Sequence, residues 1–185
     1  MITVKKLKKS FDDKIIFDGF DLSLPDKGTY YISGPSGSGK TTLLRIIAGL
    51  DTDYEGTVEH DGVISYVFQE NRLIPSLTAY QNVFEVCRDK EKTTYLLKEV
   101  GLEADADKYP AELSGGMNRR VAIARALAFD HDILLLDEPF TALDGEIKKS
   151  VISLIKEREA DRLILLVSHD ESEADALSCE RIEFR

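Results

Sequence analysis

The chain changes hydrophobic rhythm several times along its length, and each rhythm predicts an element. Residues 2–24 alternate apolar and polar types with a break near Asp12-Asp13, which predicts a β-hairpin. Pro25-Asp26-Lys27-Gly28 reads as a turn. Residues 28–33 form a short β-rich run that leads into a Gly/Ser loop. Residues 40–49 then show helical spacing through Leu43, Leu44, Ile46 and Ile47 and stop at Gly49. Asp61-Gly62 lies between two short strand-like runs and predicts a second hairpin. From about residue 72 to 128 the pattern is helical. Ile133-Leu134-Leu135-Leu136 and residues 163–167 are continuous apolar runs, as expected of strands buried on both faces. A helix over about 144–160 separates them, and a last helix begins near Glu171.

Strands alternating with helices predict an α/β fold with a largely parallel central sheet. The N-terminal alternation adds an antiparallel β subdomain, and the helical block at 70–128 reads as an insertion. The 185 residues suit a single domain, with residues 1–69 and 129–185 as its core.

Composition narrows the class of protein without naming it. Apolar residues make up 43% and charged residues 31%, ordinary for a soluble globular chain. No apolar run approaches the ~20 residues of a transmembrane helix, and the basic N-terminus has no apolar stretch behind it, so a cytoplasmic location is expected. The formal net charge of -10 argues against a sequence-independent nucleic-acid binder, which needs basic groups to neutralise phosphates. Cys87 and Cys179 are far apart and show no metal-ligand spacing.

The candidate chemistry begins at Gly34-Pro35-Ser36-Gly37-Ser38-Gly39-Lys40-Thr41, with Thr42 next. This matches G-x-x-x-x-G-K-[ST], a loop that wraps a polyphosphate with backbone N–H groups. Such a loop needs small residues and unusual backbone angles, and the helix after it points its positive end at the anion. Lys40 adds a point charge, and the Thr41 hydroxyl is placed to ligate Mg²⁺. By chance the pattern arises in on the order of one per cent of chains of this length. It predicts a P-loop nucleotide-hydrolysing fold that binds ATP with magnesium. In such a fold a carboxylate ending a buried strand holds the metal through its water shell, which selects Asp137. Glu138 points elsewhere and is placed to accept a proton from a water attacking the γ-phosphate. His169 ends the other buried strand, where an imidazole can bond a γ-phosphate; spacing alone does not assign it.

Leu113-Ser114-Gly115-Gly116-Met117 resembles the LSGGQ signature of ATP-binding cassette (ABC) transporter ATPase subunits. The stretch from Arg119 to Leu127 is similar to the helix that follows it. The resemblance covers essentially the whole chain. It implies that Gln69, in Val67-Phe68-Gln69-Glu70, is the Q-loop residue, a magnesium ligand that senses a membrane partner. By the same resemblance Thr141-Ala142-Leu143-Asp144 is the D-loop, His169 the switch histidine, and Phe11 the ring that stacks on adenine, unless Phe11 simply fills the hairpin core. It further implies an ATP-dependent dimer, homomeric or with a similar subunit. There Ser114 and the N–H groups of Gly115 and Gly116 contact the γ-phosphate bound by the other subunit; the alternative for Ser114 is an ordinary helix cap.

Two departures stand out. Met117 replaces the glutamine and cannot donate a hydrogen bond. The chain is also short for the family and stops at Arg185, so no regulatory C-terminal domain is expected. The expected function is an ATP-hydrolysing subunit that powers a separate integral-membrane permease from the inner face of the membrane. Residues 71–78 are expected to line the groove that receives a permease helix, and the stretch near Arg72 is loosely similar to importers of small anions. The alternative is a soluble ABC ATPase of cofactor assembly or DNA repair. The latter would carry long coiled coils, and no sustained heptads occur here.

Overall fold

The computed structural model describes residues 1–12 and 14–184. Asp13, part of the expected hairpin break, lies outside the described residues. Strands β1 (Ile2–Phe11) and β2 (Lys14–Leu24) pair antiparallel as the alternation predicts. The third strand of that sheet is β4 (Glu55–His60), so its order is β2-β1-β4. The second sheet is wholly parallel, with order β5-β6-β7-β3-β8, where β3 is Gly28–Ser33, β5 Ile64–Val67, β6 Ile133–Asp137, β7 Leu163–Val167 and β8 Glu180–Glu183. Helices α1 (Lys40–Ile47), α2 (Ala79–Cys87), α3 (Lys90–Glu99), α4 (Gly115–Ala128), α5 (Gly145–Arg158) and α6 (Glu171–Ala176) complete the α/β architecture. Among the described residues no helix is long and apolar enough to cross a membrane.

The two continuous apolar runs become the sheet's centre because every residue of β6 and β7 is buried. Side chains alternate across a strand, so each run feeds two cores. Leu134, Leu136, Ile164 and Leu166 face α4, α5 and the rest of the helical block. Ile133, Leu135, Leu163 and Leu165 face α1 and the antiparallel sheet. The helical block shares the first core with β5–β7.

Two expectations fail. Asp61-Gly62 does not close a hairpin: β4 pairs with β1, whereas β5 pairs parallel with β6. The chain passes between sheets there because Asp132 captures it. The Asp132 side chain accepts from Val63 N (2.8 Å), and the Asp132 N–H donates back to Val63 O (2.9 Å). This lays Ser65 and Val67 on the buried β6 run. The helical pattern from residue 72 also overreaches. Residues 71–78 are irregular, and α2 starts at Ala79, where Thr78 and Gln81 form a reciprocal capping box. β8 has no counterpart in the expected elements; it is a four-residue edge strand, mostly exposed.

The register lines up the C-terminal ends of three strands. Ile32 and Asp137 both sit opposite Val167. Loops leaving β3, β6 and β7 therefore open at one edge of the sheet, the usual ligand crevice of an open parallel sheet.

Candidate functional site

The loop between β3 and α1 carries the phosphate-binding pattern, and its backbone has the required shape. Gly39 precedes α1 in the left-handed region (φ 97°). A Cβ there would lie 2.4 Å from Ile16 Cγ2 and 2.9 Å from Phe17 Cζ, so both conformation and packing demand glycine. Lys40, 6% exposed, folds back to donate to Gly34 O (2.7 Å) and Pro35 O (2.8 Å). Among the described residues the Ser38 hydroxyl is buried without a partner. A buried unpaired hydroxyl costs free energy unless a ligand oxygen completes it.

Asp137 ends β6 nearly buried and takes two hydroxyl bonds, from Thr41 Oγ1 (3.0 Å) and Tyr66 OH (3.2 Å). Burial pushes its carboxyl above the usual range, against the lowering effect of those bonds. Burial and the Asp137 charge likewise raise the Tyr66 phenol. Tyr66 stacks on Phe68 at 4.1 Å, and Arg72 covers the other ring at 4.0 Å.

Glu138 has φ 49°, a left-handed backbone that side chains rarely adopt. The turn swings its carboxylate away from Asp137 toward the end of β7. There Oε2 accepts from His169 N (3.3 Å), and Oε1 lies 3.2 Å from His169 Nε2. Oε1 has the distance of an ion pair but, among the described residues, no aligned hydrogen bond, so it is a buried acceptor without a donor there. Burial raises the Glu138 carboxyl, opposed by His169. His169 itself is exposed. Its loop is anchored beneath: Tyr31 OH donates to Ser168 O (3.1 Å), and Ser168 Oγ donates to Glu173.

A cavity of about 350 Å³ joins these parts. Phe11, Lys14, Ile16, Ser36, Gly37, Gly39, Lys40, Thr41, Thr42, Gln69, Glu138 and His169 all line it. Phe11 is 48% exposed at its mouth and does not fill the hairpin core; Lys9 Nζ lies 4.6 Å above its ring. Asp137 lies one hydrogen bond behind Thr41. Among the described residues no group of three or more His, Cys, Asp or Glu side chains is placed to hold a metal. A hydroxyl, an amide and one carboxylate beside a phosphate cradle are instead the hard oxygen set that Mg²⁺ shares with substrate phosphates.

The signature residues Ser114, Gly115 and Gly116 do not line this cavity. They open α4, and the Ser114 hydroxyl accepts from Met117 N (3.2 Å) as an N-cap. A Cβ on Gly116 would meet the Ala142 carbonyl oxygen at 2.6 Å, whereas Gly115 faces open space. Met117 packs partly buried against the helical core.

Sequence reasoning missed Tyr66 and Arg119. Arg119 is 2% exposed and donates to the carbonyls of Phe68, Asp137, Glu138 and Pro139. Nothing in the local pattern marked them: Tyr66 is one residue of the short strand Ile64–Val67, and Arg119 is one of three arginines in α4.

Comparison with known proteins agrees with this geometry. The family model described as ABC transporter matches residues 17–141. An aliphatic sulfonates import ATP-binding protein of Pseudomonas savastanoi is 43% identical over 96% of this chain and 78% of that protein. Its namesake in Bacillus subtilis is 38% identical over 97% and 78%. A dimeric ATP-binding cassette solved in a post-hydrolysis state, bound to ADP and Pi, superposes with a TM-score of 0.90 at 32% identity, covering all of this chain and 94% of that one. With the phosphate loop, Glu138 and His169 on one cavity and Asp137 one hydrogen bond behind it, the chain belongs to the ABC transporter family as one of its ATP-binding, ATP-hydrolysing subunits.

Proposed function

We propose that this subunit powers import of a small organic anion of the sulfonate class through a separate permease at the inner face of the cell membrane. The substrate class rests on the relatives, which are aliphatic sulfonates import ATP-binding proteins at 38–43% identity. The hydrolytic roles rest on the convergence of Lys40, Thr41, Glu138 and His169 on one cavity.

ATP stacks its adenine on Phe11 and lays its phosphates along residues 34–42. Lys40 leaves the carbonyls of Gly34 and Pro35 for the outer phosphates, and Ser38 gains its missing partner. Thr41, Gln69 and, through water, Asp137 would hold Mg²⁺, which when bound supplies positive charge against the charge developing on the phosphates. Glu138, its carboxyl raised by burial, polarises the attacking water. His169 swings from Glu138 to the γ-phosphate. Ser114, Gly115 and Gly116 contact that phosphate from the partner subunit. The helical block at 70–128 carries the signature as a subdomain, and dimer closure drives the permease.

The permease site requires one refinement. The apolar cleft of about 320 Å³ is lined by Leu50, Ile64, Tyr66, Phe68, Val86 and Phe129, among others. None of residues 71–78, expected to form the groove, lines it; only Asn71 and Arg72 approach it, where Arg125 of the cleft wall donates to Asn71 O (3.2 Å) and Arg72 O (2.9 Å). A short amphipathic helix of the permease fits this cleft.

Replacing Glu138 with Gln tests the hydrolytic reading. The variant is expected to elute with bound ATP as a dimer from a sizing column. A monomer hydrolysing ATP at the normal rate sinks the general-base role.

A further inference from the structure

The site contains a buried cation that the assigned chemistry leaves unused. Arg119 lies one turn into α4, just beyond the signature glycines. Its Nε donates to Pro139 O (2.7 Å). Nη2 donates to Asp137 O (2.9 Å) and Glu138 O (2.6 Å). Nη1 donates to Phe68 O, and more weakly to Gln69 O (3.3 Å) and Asn71 Oδ1 (3.4 Å). Among the described residues no carboxylate lies within ion-pair distance of it. A guanidinium buried with no carboxylate in direct contact is costly, and burial draws its pKa down to about 10 against the raising charges of Asp137, Glu138 and Glu70. Its fork is solvated almost wholly by backbone carbonyls of two loops.

Those carbonyls belong to the strained part of the site. Glu138 holds a left-handed backbone, which a non-glycine residue keeps only when its surroundings over-determine it. Three contacts fix its peptides: its N–H donates to Val167 O (2.8 Å), and its carbonyl accepts from Arg119 Nη2 (2.6 Å) and, more weakly, from Thr141 N (3.4 Å). The first ties the turn to β7. The second ties it to the signature helix and, through Nη1, to the Q-loop.

We propose that Arg119 is a positioning residue for hydrolysis: its guanidinium fork clamps the Glu138 turn and the Gln69 segment to the signature helix, and so aims the Glu138 carboxylate. Three segments that must meet ATP together are thereby bolted to one planar group. A lysine in its place offers a point charge with no fork, and so holds fewer of these carbonyls at once. The inference rests on the reading of Glu138 as the hydrolytic carboxylate.

The test is a double-mutant cycle in single-turnover hydrolysis with labelled ATP, using R119Q, E138Q and the pair, with R119K as a second variant. Affinity for a fluorescent ATP analogue is measured on the same samples. R119Q is expected to lower the hydrolysis rate about 10- to 100-fold, as a catalytic group misplaced by about 1 Å does. Analogue affinity should stay within about threefold. In the E138Q background the same change should lower the residual rate by less than about twofold, since Arg119 acts through Glu138. R119K should lie between R119Q and the parent, and it carries the test if R119Q does not fold. A rate within about twofold of the parent overturns the inference. So does a parallel loss of affinity and rate, or an equal factor in both backgrounds. Full turnover by E138Q alone overturns the Glu138 reading and this inference with it.

Discussion

Gly115 and Gly116 are adjacent and chemically identical, yet an added methyl group meets different surroundings at each. In G115A the new Cβ finds nothing within 4 Å, whereas in G116A it would sit 2.6 Å from the Ala142 carbonyl oxygen. Ordinary C···O contacts are about 3.3–3.6 Å, so α4 and the D-loop of the same chain must part by about 0.7–1.0 Å. Overpacking of this kind costs about 1–3 kcal/mol. Both substitutions gain the helix preference of Ala over Gly, about 0.5–1 kcal/mol. That gain cancels in the comparison and leaves G116A less stable than G115A by about 1–3 kcal/mol. Ala142 is exposed and itself left-handed (φ 65°), so the loop yields more readily than a core wall. This favours the lower end, about 1 kcal/mol. For a chain of this size that is a melting difference of about 2–4 °C. The assay is a thermal melt of the nucleotide-free protein, where no partner phosphate touches either glycine. If G116A melts with G115A or above it, the contact within one chain is not real, and both glycines serve only the dimer.

Asp137→Asn should raise the melting temperature of the nucleotide-free protein while abolishing magnesium-dependent protection by ATP. Burial raises the Asp137 carboxyl, so its ionised form opposes folding above the folded pKa; the gain should shrink as pH falls through the folded pKa and be gone below the unfolded value of about 3.9. Glu159→Gln should destabilise near neutral pH by about 3 kcal/mol, since it strips a fully buried His131 of its carboxylate. Burial pushes the Glu159 carboxyl up, but His131 and Arg162 outweigh it, so its pKa is depressed. Its contribution is present above the unfolded value of about 4.3 and is lost as pH falls through the folded pKa. Urea titrations across pH should therefore converge for the two proteins in acid; a constant gap would refute the pairing. Tyr66→Phe removes one donor to Asp137 and should cost about 1 kcal/mol. It should also raise the Mg²⁺ concentration for half-maximal hydrolysis, and an unchanged magnesium curve would show that the phenol does not tune Asp137.

Much of the site was legible before folding because its parts are local. The phosphate loop is eight consecutive residues whose glycines are dictated by their own backbone and immediate packing. Asp137 and Glu138 follow a run so apolar that only a strand buried on both faces accommodates it. What was not legible depends on partners distant in sequence. Asp61-Gly62 is a good hairpin signal locally, but Asp132 captures the chain 69 residues from Val63 and sends β5 to another sheet. Tyr66 is an ordinary strand residue until Asp137 arrives 71 residues later.

The sequence by itself determined where the phosphate-loop pattern lies, which carboxylates would follow the buried strand, and which family's signature opens α4, because these are properties of residue type and short spacing. Only the tertiary structure decided how those groups are aimed. It turned the Glu138 carboxylate onto His169, placed the D-loop carbonyl against Gly116, and brought the Arg119 fork to carbonyls 18 to 51 residues away. A long buried side chain reaches whichever carbonyls the packed helices and strands present to it, and that choice is made by the geometry of the sheet and not by the pattern of the chain.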